Sequence, residues 1–255
     1  MADSRPVRLR AEYRDHLDAY TRDVVAMCDR ARLGMLRATR ALLEQDLEAA
    51  EEALNDADSL QELVQRCEER AIALLARQSP VATDLRQVMS YMHIESDLAR
   101  MGALGKLVAK IARQHHPAAA LPPEVAARVF DLAAAVDVLA SRVRPLVATP
   151  QVEVALSLPE LDKTVDTIAQ ELTALATSDD WPFTHREAVE TALIARFYER
   201  FADHCVAIGN RIMFMVTGLR PNEYAAQRDA ADPDSAAHAE RIAVLERRFA
   251  LREES

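Results

Sequence analysis

Glycine is scarce in this chain, with five in 255 residues. No glycine-rich phosphate cradle is present, and Gly102 and Gly105 form only an isolated pair on a helical stretch. The same scarcity, beside abundant Ala, Leu, Arg and Glu, favours long helices over sheet. Cysteine is nearly as rare: Cys28, Cys67 and Cys205 lie inside periodic segments with no CxxC pair, as reduced core thiols of a cytosolic protein do. There is no basic excess. A net charge of −10 argues against a general nucleic-acid binder, while leaving room for a basic partner or a bound cation. Long apolar runs are missing too, since the one around 212–216 is far too short to cross a bilayer. The opening "MADSRPVRLRAEYRDHL" is charged from its start and has no signal-like apolar core, so a soluble, cytoplasmic protein is expected. No nucleophile–base arrangement stands out, and neither an enzyme nor a nucleotide site is expected.

What is present is helical periodicity. Leu17, Val24, Val25, Cys28, Ala31, Met35 and Leu42 mark one face of a helix over 8–46. A second helix is predicted over 48–77 through Leu60, Leu63, Cys67 and Leu74. Ser79-Pro80, with Asp84 nearby, reads as the start of a third that runs to His115. The same order recurs over 123–147, 151–177 and 182–217, with "SDDWP" as the polar start of the last helix and Gly218 as its stop. The expected fold is therefore all-α, two tandem three-helix bundle repeats with a C-terminal tail. The boundaries are 1–118, 119–218 and 219–255, the last being a linker and short helix or a disordered tail. "RPNEYAAQRDAADPDS" reads as linker, and 236–251 as a short amphipathic helix.

The repeat is legible in two stretches, "ESDLARMGALGKLVAKIA" (95–112) and "ARFYERFADHCVAIGNRI" (195–212). An offset of one hundred sets Arg100 on Arg200, Gly102 on Ala202 and Val108 on Ile208. Yet Glu199 and Asp203 fall on Ala99 and Ala103. Residues four apart share a helix face, so Glu199 and Asp203 present two anions side by side, and Asp162 and Asp166 do the same on the preceding helix. Two readings stand. Facing carboxylate pairs suit a hard cation and tolerate iron, manganese or zinc. Alternatively, Arg196 and Arg200, each three residues earlier, make the acids an ordinary ion-paired surface. Phe197, Phe201, Cys205, Ile208 and Ile212 mark the buried side of this helix, so Glu199 and Asp203 are expected at the surface or in a shallow groove.

The segments "LLARQSPVATDLRQVMSYMHIESDLARMGAL" (74–104) and "LIARFYERFADHCVAIGNRIMFMVTG" (193–218) resemble the PhoU family, regulators of phosphate-specific transport. The likeness covers about 10–218, and "MGALGKLVAKIARQHHP" (101–117) is closest to the actinobacterial branch. The resemblance implies a multinuclear metal cluster, usually iron or zinc, on an acidic-x-x-x-Asp motif in each repeat. Here only repeat two keeps it, as Glu199 and Asp203 facing Asp162 and Asp166. The counterparts in repeat one are Ala99 and Ala103, with Ala57 and Gln61 on the preceding helix. Iron or zinc, with manganese or magnesium as alternatives, is accordingly expected in repeat two alone.

The resemblance further implies a cytoplasmic homodimer that contacts the phosphate transporter's ATPase subunit and a sensor histidine kinase, reaching the membrane only through them. It would hold the phosphate-starvation response off when phosphate is plentiful. A ferritin-like metal enzyme is the alternative. Its Glu-x-x-His motif is absent, because no Glu lies three residues before any of the seven histidines. His204 points away from Asp203, His93 reads as a core or interface residue, and His115 and His116 read as caps on terminal carbonyls. Phe197, Tyr198 and Phe201 read as core.

Overall fold

Residues 5–77, 82–230 and 236–252 are described by a computed structural model of the protein. Six long helices carry the two repeats: α1 (Arg5–Glu44), α2 (Leu47–Arg77) and α3 (Ala82–His115), then α4 (Pro123–Ala148), α5 (Val152–Ala176) and α6 (His185–Thr217). Two shorter ones follow, α7 (Pro221–Ala230) and α8 (Ala236–Phe249), and the described residues contain no strand. The start signal at Ser79-Pro80 lies outside the described residues. Asp84 does sit in the first turn of α3 and complements its dipole.

Each repeat packs its middle helix on the other two: α2 on α1 and α3, α5 on α4 and α6. The repeats join through α1 against α4 and α3 against α6. One continuous core results, with Tyr20, Tyr91, Tyr198 and Phe201 fully buried along it. Contacts from Arg86 to the Met215 carbonyl, His204 to Asp97 and His115 to Glu190 show that α3 and α6 run antiparallel over their whole length. Polar ties cross the joint as well. Arg32 grips Asp137 through two nitrogens at 2.6 and 2.9 Å, and Thr39 meets the Tyr198 hydroxyl at 2.6 Å.

The ends of α6 follow simple chemistry. Gly218 closes the helix in the left-handed region, φ 77°, where a Cβ would be strained. At the other end the "SDDWP" expectation is corrected. The N-cap is Thr184, whose hydroxyl accepts from Glu187 N–H while the Glu187 carboxylate accepts from Thr184 N–H, a reciprocal capping box. Trp181 instead donates to the Thr184 carbonyl at 3.0 Å and packs edge-on against Phe183.

The tail expectation also needs correction. Residues 221–230, read as linker, form α7, because Glu223 accepts from Arg220 N–H as a first-turn cap and Tyr224 is buried. His93 is exposed rather than core. Neither His115 nor His116 bonds a terminal carbonyl of α3 here: His115 bonds Glu190 at 2.8 Å, and His116 bonds the Gln45 carbonyl just beyond α1 at 3.0 Å.

Candidate metal centre

α5 and α6 lie close because Gly209 faces Leu158 and the Ala155 carbonyl; a Cβ there would meet Leu158 Cδ1 at 2.6 Å and the carbonyl oxygen at 3.3 Å. Pro159 sits inside α5 and has no N–H to return to Ala155, so that carbonyl lacks its usual intrahelical partner. A glycine opposite lets the α6 backbone come up against it. With 158 opposite 209, an antiparallel register sets 162 level with 205 and 166 with 201, so Asp162 and Asp166 lie beside the stretch of α6 that carries Glu199 and Asp203. Four carboxylates from two helices then lie near one another.

Their electrostatics report that proximity. Burial pushes the Asp162 carboxyl up to about 6, and the charges of Asp166, Asp203 and Glu199 push the same way. Asp166 is also raised, by burial and then by Glu199 and Asp203. Asp162 Oδ1 is buried with no hydrogen-bond partner. A buried oxygen of an acid held among three others is costly unless protonated or met by a cation. Arg196 answers part of the charge, with its guanidinium 2.5 Å from Glu199. The Arg196–Glu199 ion pair thus lies beside Asp162, whose buried oxygen has no partner. Asp203 is exposed and Glu199, Asp162 and Asp166 are half-buried, so the four acids lie near the surface. The donor set fits a hard or borderline cation in charge and type. Among the described residues no group of three or more His, Cys, Asp or Glu is placed so that it could hold a metal ion, so these side chains would have to move together to take one.

The matching face of repeat one is built differently. Ala99 and Ala103 offer no donor, and one turn further on Lys106 reaches Asp58 of α2 at 2.7 Å. Arg113 reaches Glu51 across the same pair of helices at 3.3 Å. At the offset of one hundred, Lys106 corresponds to Val206. Repeat one therefore carries its own positive charge on a side chain, where repeat two opposes acid to acid.

Several polar residues escaped the sequence reading. Asp97 receives His204 at 3.0 Å across the repeat joint. Glu190, buried, holds His115 and also Arg186 at 3.1 Å. Glu95 is buried against the Tyr20 hydroxyl. None is marked by a motif, since His204, His115 and Tyr20 reach these acids from distant helices, and only Arg186 lies on the same helix as its partner. The three thiols are free and buried, and burial raises all three, Cys67 to about 12. They are poor nucleophiles and poor ligands.

Comparison with known proteins agrees with this architecture. The PhoU domain model matches residues 24–112 and 131–212. The chain is similar to the phosphate-specific transport system accessory protein PhoU homolog 1 of Mycobacterium tuberculosis, 38% identical over 215 residues, or 84% of this chain and 97% of that one. It is equally similar to PhoU homolog 2 of the same organism, 38% identical over 213 residues, covering 84% of this chain and 100% of the relative. The crystal structure of PhoU from Pseudomonas aeruginosa superposes with a TM-score of 0.74 at 24% identity, over 81% of this chain and 100% of that one.

Proposed function

The chain belongs to the PhoU family, and from that premise we propose that it is an accessory protein of phosphate-specific transport that regulates uptake by binding partners. The relatives at 38% identity, matched over nearly their full length, carry this reading. They are named accessory proteins, not enzymes. The partners we propose are the transporter's ATPase subunit and a sensor histidine kinase, bound by a cytoplasmic homodimer that holds the phosphate-starvation response off. Among the described residues no helix is long and apolar enough to cross a membrane, which is consistent with recruitment through such partners. Long helices with charged outer faces give extended docking surfaces. Deleting the gene should raise expression of phosphate-uptake genes in high phosphate, and affinity purification from phosphate-replete cells should recover both partners. Unchanged expression, in cells with no second copy of the regulator, overturns the regulatory reading.

We further propose that repeat two binds a cation, iron or zinc before manganese or magnesium, between Asp162/Asp166 and Glu199/Asp203. The orphaned Asp162 oxygen supports it. A bound cation would supply positive charge in place of a proton on Asp162, keeping all four acids ionised. Stability would then rise with metal concentration, by about 2.7 kcal/mol at a hundredfold excess over Kd. Glu199→Ala with Asp203→Ala should abolish both bound metal and that rise, measured by elemental analysis and melting curves, while the helical fold persists. Wild-type protein that takes up none of the four metals would leave Arg196 and its acids as an ion-paired surface.

A further inference from the structure

The family match ends at residue 212, and relatives covered over 97 and 100% of their length match only 84% of this chain. α7 and α8 lie beyond that match, yet they are bound to the rest of the molecule at named atoms. The Phe249 ring is buried, and Ile242 and Leu245 pack against the core.

The polar contacts of α8 go to both repeats. On repeat two, α5 begins at Val152 behind Gln151, which makes no side-chain cap, and Glu246 supplies one from outside by accepting from Val152 N–H at 2.7 Å. A carboxylate at a helix N-terminus also meets the positive end of the dipole. Just beyond α8, Leu251 N–H donates to the Ala148 carbonyl in the last turn of α4 at 2.8 Å. The α4–α5 turn therefore has both helix ends satisfied by the tail. On repeat one, Arg252 pairs with Asp15, at 3.1 Å, and with Asp18, while Arg14 donates to the Arg248 carbonyl at 3.4 Å. Within about seven residues of chain the grip passes from α5 to α1.

We propose that α8 and residues 250–252 form a releasable clasp, which caps α4 and α5 of repeat two while gripping α1 of repeat one and so holds the two repeats in one arrangement. Its hold is mostly ionic and end-capping. Arg252 is half exposed, and Phe249 is the one fully buried apolar anchor among the described α8 residues. Salt screens the Arg252 pairs, so high ionic strength loosens the grip of the clasp on α1 while the six-helix core remains.

The test is amide hydrogen exchange on the full chain, comparing wild type with Arg252→Glu and Glu246→Ala. Arg252 pairs with Asp15 and Asp18 of repeat one. If the clasp acts as a unit, Arg252→Glu speeds exchange at 152–155 of repeat two by roughly five- to tenfold, the change expected for a lost helix cap. Glu246→Ala in turn speeds exchange at 14–18 of α1, and 0.5 M salt on wild type gives about the same pattern. Changes confined to each variant's own neighbours, or no change at all, overturn the proposal. So does global loss of helix in either variant, which would make α8 part of the core. Protection at 152–155 that falls on dilution places α8 on a second copy and equally rules out an intramolecular clasp.

Discussion

A carboxyl group enclosed by a phenol and two further acids has little to gain from ionising. Glu95 sits in the core of repeat one, bonded by the Tyr20 hydroxyl, and burial raises it to about 7. Glu68 and Asp23 raise it further, and the Tyr20 bond pulls it back only in part. Asp23 is itself held by Arg66 at 3.0 Å and by Arg70. In the unfolded chain the same group ionises near 4.5. Between these values the unfolded state has lost its proton while the folded state keeps it, so stability falls as pH rises from about 4.5 to 7. Glu95→Gln keeps an oxygen for Tyr20 and removes the charge. It should raise stability at pH 8 by on the order of 2 kcal/mol and flatten that slope, as read from denaturant unfolding at pH 5 and pH 8. A wild-type profile already flat over this window would place the carboxylate elsewhere. The other residue that decides geometry is Gly209. Gly209→Ala adds a better helix former, yet the new Cβ runs into the fully buried Leu158 side chain and the Ala155 carbonyl. The expected outcome is a net loss of about 1–2 kcal/mol in denaturant titrations, and no loss would mean that α5 and α6 have room to part.

Among the elements, α6 shows how local chemistry fixes an end. Thr184→Ala removes the hydroxyl of a reciprocal capping box and should cost about 1 kcal/mol, with the frayed turn seen in exchange at 185–188. Thr184→Asn should recover most of it. The tail elements behave against their composition. "RPNEYAAQRDAADPDS" has too few apolar residues to predict packing, but Tyr224 is buried and α7 packs on α6. One aromatic placed at the correct turn suffices to dock a ten-residue helix. Removal of everything after Gly218 takes away Tyr224, Phe249 and both caps on the α4–α5 turn. The melting temperature should then fall by about 5 °C or more, whereas a chain with a free tail would be unaffected.

Across the whole molecule, the two repeats are alike in architecture and unlike in charge. Both close a three-helix unit, but the α2–α3 face joins acid to base through Asp58 and Lys106, and the α5–α6 face joins acid to acid. An added divalent cation should therefore act on one half only. Hydrogen exchange with and without zinc or manganese should slow in 158–209 and stay unchanged in 57–106. Protection appearing equally in both halves would overturn the asymmetry. The joint between the repeats carries paired polar groups, Arg32 with Asp137 and Asp97 with His204, half-buried at the edge of the common core. Such pairs add little to stability but fix the register of α1 on α4 and α3 on α6.

The helix order, the repeat and the carboxylate motif were legible in the sequence because each is a local pattern. Apolar spacing marks a helix wherever it packs, and an offset of one hundred shows Glu199 and Asp203 against Ala99 and Ala103 without any coordinates. Gly218 as a helix stop is equally local, since its backbone freedom belongs to the residue. Tertiary structure decided what depends on a distant partner. His115 reads as a cap until Glu190, seventy-five residues away, is seen beside it. Thr184 is a cap that "SDDWP" obscures, because several polar residues compete for the role and only packing of Trp181 and Phe183 selects one. Glu95 carries no motif, and its shifted titration exists only because α1 and α2 close over it. The tail is the largest such case: its composition favours solvent, and its place is set by helix ends and charges on α1, α4 and α5 that the folded repeats bring within reach of Glu246, Leu251 and Arg252.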